Sequence, residues 1–159
     1  MEKINIICVD DEREVLESVV HDLDYFSFSE FFNIEECESA IECLELLEEL
    51  DANQEYVALI ISDHVMPEKT GVELLTDVEL DNRFLGTKKL LLTGLATQAD
   101  TIIAINNAKI DNFLEKVWSP EELLQTCKEL VTEYIVEQGI EYEPFMDILD
   151  APTLYRLLK

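Results

Sequence analysis

Residues 56–71 read YVALIISDHVMPEKTG. Tyr56 to Ser62 is the strongest strand signal in the chain, a run of apolar and β-favouring side chains. A run of this kind predicts a strand buried on both faces. It ends at Asp63, and a loop containing Met66-Pro67 follows before Gly71. A carboxylate carried to the end of such a strand is either a cap or turn residue, or a reactive group presented at the rim of a sheet. The rest of the chain decides between the two.

Outward from this strand, strand-like and helix-like patterns alternate. Ile4 to Val9 is a short β-branched run, and Glu12 to about Leu23 repeats Val15, Leu16, Val19, Val20 and Leu23 at helical spacing. Phe31 to Ile34 predicts a weaker strand, and Ser39 to Leu50 a helix. After the central strand, 70–80 predicts a helix, 89–93 a strand, 97–108 a helix and 111–115 a brief strand. Ser119-Pro120-Glu121-Glu122 predicts a capping box with proline at the first helical position, and Gly139 a helix stop. Five strands alternating with five helices imply an α/β fold, a doubly wound parallel sheet with helices on both faces. The first 138 residues read as one domain. Residues 139–159 read as a C-terminal extension, short and helical or partly ordered, too short for a second domain or a DNA-binding element.

Composition narrows the function classes. The chain has 159 residues, 48% of them hydrophobic, enough for a real core. Eleven basic against 36 acidic residues leave a net charge of −25, a field that repels nucleic acid and anionic membranes. The N-terminus lacks the pattern of a signal peptide, and no apolar run approaches a membrane span, so a cytoplasmic protein is expected. Cys8, Cys37, Cys43 and Cys127 form no CxxC pair, and the chain has two histidines, a pattern that argues against a zinc site. The cysteines are expected as reduced, buried thiols.

In a doubly wound sheet, ligands bind outside the carboxyl ends of the strands. The residues that end the predicted strands are Asp10-Asp11, Asp63, Thr93 and Glu115-Lys116. If strands one and three are neighbours, as in the order 2-1-3-4-5, three carboxylates crowd one rim. Two unit charges about 4 Å apart repel by about 4 kcal/mol at an effective dielectric near 20. Such a cluster raises its own pKa values or draws in a cation. Hard oxygen donors of this kind suit Mg²⁺. With a hydroxyl and one ammonium opposite, the set has the parts of a phosphoryl-transfer site.

With those residues in place, the sequence resembles the receiver domain of bacterial two-component response regulators. The resemblance rests on Asp10-Asp11, Asp63 with Met66-Pro67 and Gly71, Thr93, Lys116 and their spacings, and covers roughly residues 3–138. It implies a flavodoxin-like fold with strand order 2-1-3-4-5. It implies that Asp63 accepts a phosphoryl group from a sensor histidine kinase or phosphotransfer protein. Asp11 and Asp63 would bind Mg²⁺ directly, Asp10 mainly through water, and the carbonyl of Val65 would be a further ligand. Thr93 and Lys116 would each contact a phosphoryl oxygen. Thr93 and Phe113 would move together as the switch, altering a face read by a downstream protein or output domain. The chain would be a phosphoacceptor that catalyses only its own phosphoryl transfer and slow dephosphorylation, with no direct contact to nucleic acid or membrane. A homodimer through the C-terminal segment is left open.

Three positions depart from the family. Val117 stands where a proline after a cis bond is usual, though Trp118 keeps the aromatic that often follows. A cis bond before a non-proline residue costs about 2.5–4 kcal/mol. A trans bond with a displaced Lys116 is therefore open, with the chemistry expected to survive. Val65 and Leu95 hold the two positions that tune dephosphorylation in the family, and both are apolar. Slow self-dephosphorylation follows. His64 is read as a surface residue near the site mouth rather than a ligand or base. Two other classes fit less well. A haloacid-dehalogenase-like phosphatase needs Asp-x-Asp where this chain has Asp10-Asp11, and a pseudo-receiver scaffold typically lacks the acidic pair or the acceptor that this chain keeps.

Overall fold

The computed structural model describes residues 3–94 and 98–159. Five parallel strands form one sheet in the order β2-β1-β3-β4-β5: β1 (Ile4–Val9), β2 (Asn33–Cys37), β3 (Tyr56–Asp63), β4 (Lys88–Thr93) and β5 (Asn112–Glu115). Six α-helices are described: α1 (Arg13–Tyr25), α2 (Ala40–Ala52), α3 (Gly71–Glu79), α4 (Gln98–Ile103), α5 (Pro120–Glu137) and α6 (Ala151–Leu158). The α4 helix runs on into a wider π turn over Ala104–Ala108.

Side chains alternate along each strand, so the sheet carries a core on each face. Ile6, Cys8, Leu59, Ile61, Leu90 and Leu92 pack with α1 and α5. Ile7, Val9, Ile60 and Leu91 pack with α2 and α3. This two-sided burial explains why the central strands are continuous apolar runs.

One expectation needs correction. The second strand lies at Asn33–Cys37, later than Phe31 to Ile34. Phe32 is instead a core residue ahead of the strand, stacked on Phe145 at 5.6 Å between ring centroids. Aromatic content there reports burial, not strand. Beyond the fifth helix, the short C-terminal segment is helical over Ala151–Leu158. Gly139, at φ +70°, closes α5, with its N–H bonded to Val136 O and that of Ile140 to Ile135 O. The chain then turns back, and Ile140, Phe145, Ile148, Leu149 and Leu154 are buried in the core shared by α1 and α5. Asp150 caps α6 by accepting from Thr153 N and also accepts from Gln125 Nε2, while its own N–H donates to Thr132 Oγ1.

Ser119 caps α5 by accepting from Glu122 N. The full reciprocal capping box occurs at Thr70 and Glu73, at the start of α3. The four cysteines are free and buried.

Candidate functional site

The site lies at the carboxyl ends of β1, β3 and β4. Asp63 is the last residue of β3, the central strand, and is 2% exposed. Asp10 follows β1 and is equally buried, with its N–H bonded to Cys37 O. Asp11 is exposed. Carboxylate oxygens of Asp10, Asp11 and Asp63 all lie within 4.8 Å of one another. The acidic pair does not cap α1: Glu12 holds the cap position, without a side-chain cap bond. One oxygen of Asp10 accepts from Glu12 N at 2.8 Å. The other, Oδ2, is buried with no hydrogen-bond partner.

Burial and the neighbouring carboxylates have a measurable consequence. Burial first, then Asp63, pushes the Asp10 carboxyl up to about 6, against the Glu12 N–H and Lys116. Burial likewise holds Asp63 above the ordinary carboxylate range, opposed by the Lys116 ammonium. Lys116 Nζ lies 3.5 Å from Asp63 Oδ1. Its backbone N–H donates to Thr93 O at 2.7 Å, which ties the start of the β5–α5 loop to the end of β4. The Lys116–Val117 bond is cis, and Lys116 still faces Asp63. The displacement left open by Val117 is not seen.

Thr93 ends β4 and is buried. Phe113 is half-buried on β5, paired with Leu91 in register and packed against the α2–α3 core. Val65 is 74% exposed and Val117 fully exposed. His64 is half-buried, with Nδ1 buried and unpartnered, so it is less of a surface residue than expected. Leu95 lies outside the described residues.

The wall of the site depends on Gly71. A Cβ there would sit 2.1 Å from the carbonyl oxygen of Asp63, so only glycine lets α3 start against the end of β3. Sequence reading found Gly71 as part of a pattern but not the contact that requires it. It missed a groove of about 400 Å³ beside Lys116, lined by Glu14, Val15, Ser18 and Asp22 of α1 with Trp118 and Pro120. Its walls come from segments a hundred residues apart, and no local signal joins them.

A parallel 2-1-3-4-5 sheet with an acidic pair, a buried aspartate, a threonine and a lysine at its strand ends defines a class of signalling domain. The chain matches the response regulator receiver domain over residues 6–128 and belongs to that family. It is 28% identical over 120 residues to the chemotaxis protein CheY1 of Helicobacter pylori, covering 76% of this chain and 90% of CheY1. It is 29% identical over 126 residues to the hydrogenase transcriptional regulatory protein HoxA of Cupriavidus necator, covering 79% of this chain. The match spans 24% of HoxA, so the chain corresponds to about a quarter of that relative. Among solved structures, a CheY-like receiver domain protein from Methanospirillum hungatei superposes with a TM-score of 0.72 at 28% identity, over 86% of this chain and 99% of that one. Among the described residues, no helix is long and apolar enough to cross a membrane.

Proposed function

We propose that the protein is a phosphorylation-dependent switch that takes a phosphoryl group on Asp63 from a sensor histidine kinase or a phosphotransfer protein. The observation that carries this reading is the buried Asp63, 3.5 Å from Lys116 and clustered with Asp10 and Asp11. The acceptor carboxylate, the acidic pair and the ammonium occurring together favour this reading over a pseudo-receiver scaffold.

Three carboxylates and one ammonium leave the rim two negative charges in excess. With Asp10 Oδ2 buried and unpartnered, the donor set fits a hard divalent cation. Asp10, Asp11, Asp63 and the Val65 carbonyl would hold Mg²⁺, which when bound would supply positive charge to the phosphoryl oxygens. Asp63 contributes the nucleophile. Its carboxylate oxygen forms the new O–P bond as the N–P bond of the donor phosphohistidine breaks, and the departing electron pair remains on the imidazole. Lys116 gives up its contact with Asp63 Oδ1 and pairs with a phosphoryl oxygen. The Thr93 hydroxyl donates to another, and its inward turn, with Phe113, carries the change to a protein-contact surface. The chain thus catalyses only its own phosphoryl transfer. The exposed valyl side chain of Val65 offers no group to orient an attacking water, so the aspartyl phosphate hydrolyses slowly. A lifetime of a few seconds at neutral pH would contradict this.

In this reading the receiver unit runs over residues 1–138, and residues 139–159 are an extension built onto it. The protein works in the cytoplasm. Incubation with acetyl phosphate and Mg²⁺, followed by intact mass, tests the switch. Wild type should gain one phosphoryl group and Asp63→Asn none. Equal masses for the two proteins would sink the reading.

A further inference from the structure

Ser62 is the one hydroxyl inside the buried length of β3, and it is 0% exposed. It sits between Ile61 and Asp63, where an apolar residue would continue the strand. A buried hydroxyl is strongly disfavoured without a partner. Here it donates to the carbonyl oxygen of Asp63 at 2.9 Å, in a fully buried bond.

That carbonyl belongs to the peptide that joins the candidate phosphoacceptor to the loop. The same oxygen is the atom a side chain at position 71 would strike, so α3 presses on it from outside. At the other end of the peptide, His64 N donates to Leu92 O of β4 at 3.1 Å. One residue on, His64 O accepts from Gly71 N at 2.9 Å. The Asp63–His64 peptide is therefore held at its N–H by β4 and at its oxygen by Ser62, with Gly71 closing the remaining side. Holding both ends of a planar peptide fixes the last backbone torsion of Asp63. That torsion sets how the chain leaves the strand, and with it the relation between the Asp63 carboxylate and the loop carrying Val65.

We infer that Ser62 is a positioning residue for the phosphoacceptor: its buried hydroxyl locks the Asp63–His64 peptide and so aligns the Asp63 carboxylate with the start of the β3–α3 loop. The inference rests on the function proposed above. It predicts that the hydroxyl matters to the site more than to the core.

The test uses the full chain as wild type, Ser62→Ala and Ser62→Thr. Three quantities are read: the thermal midpoint, a Mg²⁺ titration followed by the fluorescence of Trp118, the chain's single tryptophan, and the rate of phosphorylation by acetyl phosphate at saturating Mg²⁺. Ser62→Ala should slow phosphorylation about three- to tenfold, the worth of one net hydrogen bond. Its Mg²⁺ midpoint should rise about tenfold, as when a group that orients metal ligands is lost. Ser62→Thr, which keeps the hydroxyl, should restore most of both. A Ser62→Ala protein with a lowered thermal midpoint but wild-type rate and Mg²⁺ midpoint would make Ser62 merely structural and overturn the inference. If the alanine variant does not fold, Ser62→Cys, close in volume but a weak donor, takes its place with the same two outcomes. A wild type that takes no phosphoryl group brings down the proposed function and this inference with it. A phosphorylated wild type beside an indifferent variant brings down this inference alone.

Discussion

The two ends of β4 hold charge in opposite ways. At the base, Lys88 and Lys89 are buried, and each meets carboxylates from neighbouring elements. Lys89 pairs with Glu79 at 2.6 Å, and Lys88 with Glu137 at 2.8 Å, Glu133 at 3.4 Å and Asp111 at 3.9 Å. Lys109 also reaches Glu79, and Arg156 reaches Glu133. Four cations face four anions, and the network ties α3, α5, α6 and the entry to β5 to one strand. At the rim, three carboxylates face one ammonium, and one buried oxygen has no partner. Matched charge holds the frame, whereas mismatched charge is kept where a cation and a phosphoryl group could complete it.

The contrast breaks if the base proves dispensable or the rim proves structural. The largest effect should come from ending the chain at Gln138. That removes Arg156 and four deeply buried side chains, Phe145, Ile148, Leu149 and Leu154. At about 1.5–3 kcal/mol each, their loss rivals the whole stability of a small domain. The truncated chain should be largely unfolded by circular dichroism, and a cooperative, wild-type melt would show the segment to be an ornament.

Next comes Lys89→Ala, which strips the nearer and buried partner from the half-buried Glu79 and leaves it only the exposed Lys109. It should cost about 3 kcal/mol in urea unfolding while leaving the phosphorylation rate of the folded fraction unchanged. Lys116→Ala should do the reverse. Its phosphorylation by acetyl phosphate should fall about a hundredfold, the scale of losing one charge-stabilising donor, and with saturating Mg²⁺ present to offset the Asp63 charge its stability should change little. Similar denaturation curves for the two lysine variants would erase the distinction between base and rim.

The smallest effect concerns Asp10, and its sign is the informative part. Its carboxyl sits at about 6 in the folded chain against 3.8 in the unfolded one, so the native state holds the proton more tightly. Protonation therefore adds stability as pH falls through 6, and above 6 the ionised carboxylate is a cost. Asp10→Asn should be more stable than wild type by about 2 kcal/mol at pH 7.5 with chelator present. The gap should narrow between pH 6 and pH 4. Melting curves across that range check it, and a constant gap would mean that the charge is not its source.

Much was legible from the residues alone, because the signals are local. Strand β3 is continuous and apolar because both faces of a parallel strand are buried, and the same fact exposes Asp63 as the place where that run ends. Capping chemistry marked the start of α5, and Gly139 marked its stop because only glycine takes φ +70° without strain. The strand-end positions of Asp10, Asp11, Thr93 and Lys116 were readable once the strands were.

Tertiary structure decided the rest. Phe31 and Phe32 looked like strand because aromatic residues suit both strands and cores, and only packing against Phe145 tells which. Residues 140–158 carry no pattern that says where they dock, since an apolar segment is equally ready to fold back or to meet another chain. The distances among Asp10, Asp11, Asp63 and Lys116 exist only after the sheet brings three separate strand ends to one rim. A local sequence names the chemical groups and the strand that ends in each; the through-space field that raises one carboxyl to about 6 and leaves its oxygen unpartnered belongs to the fold.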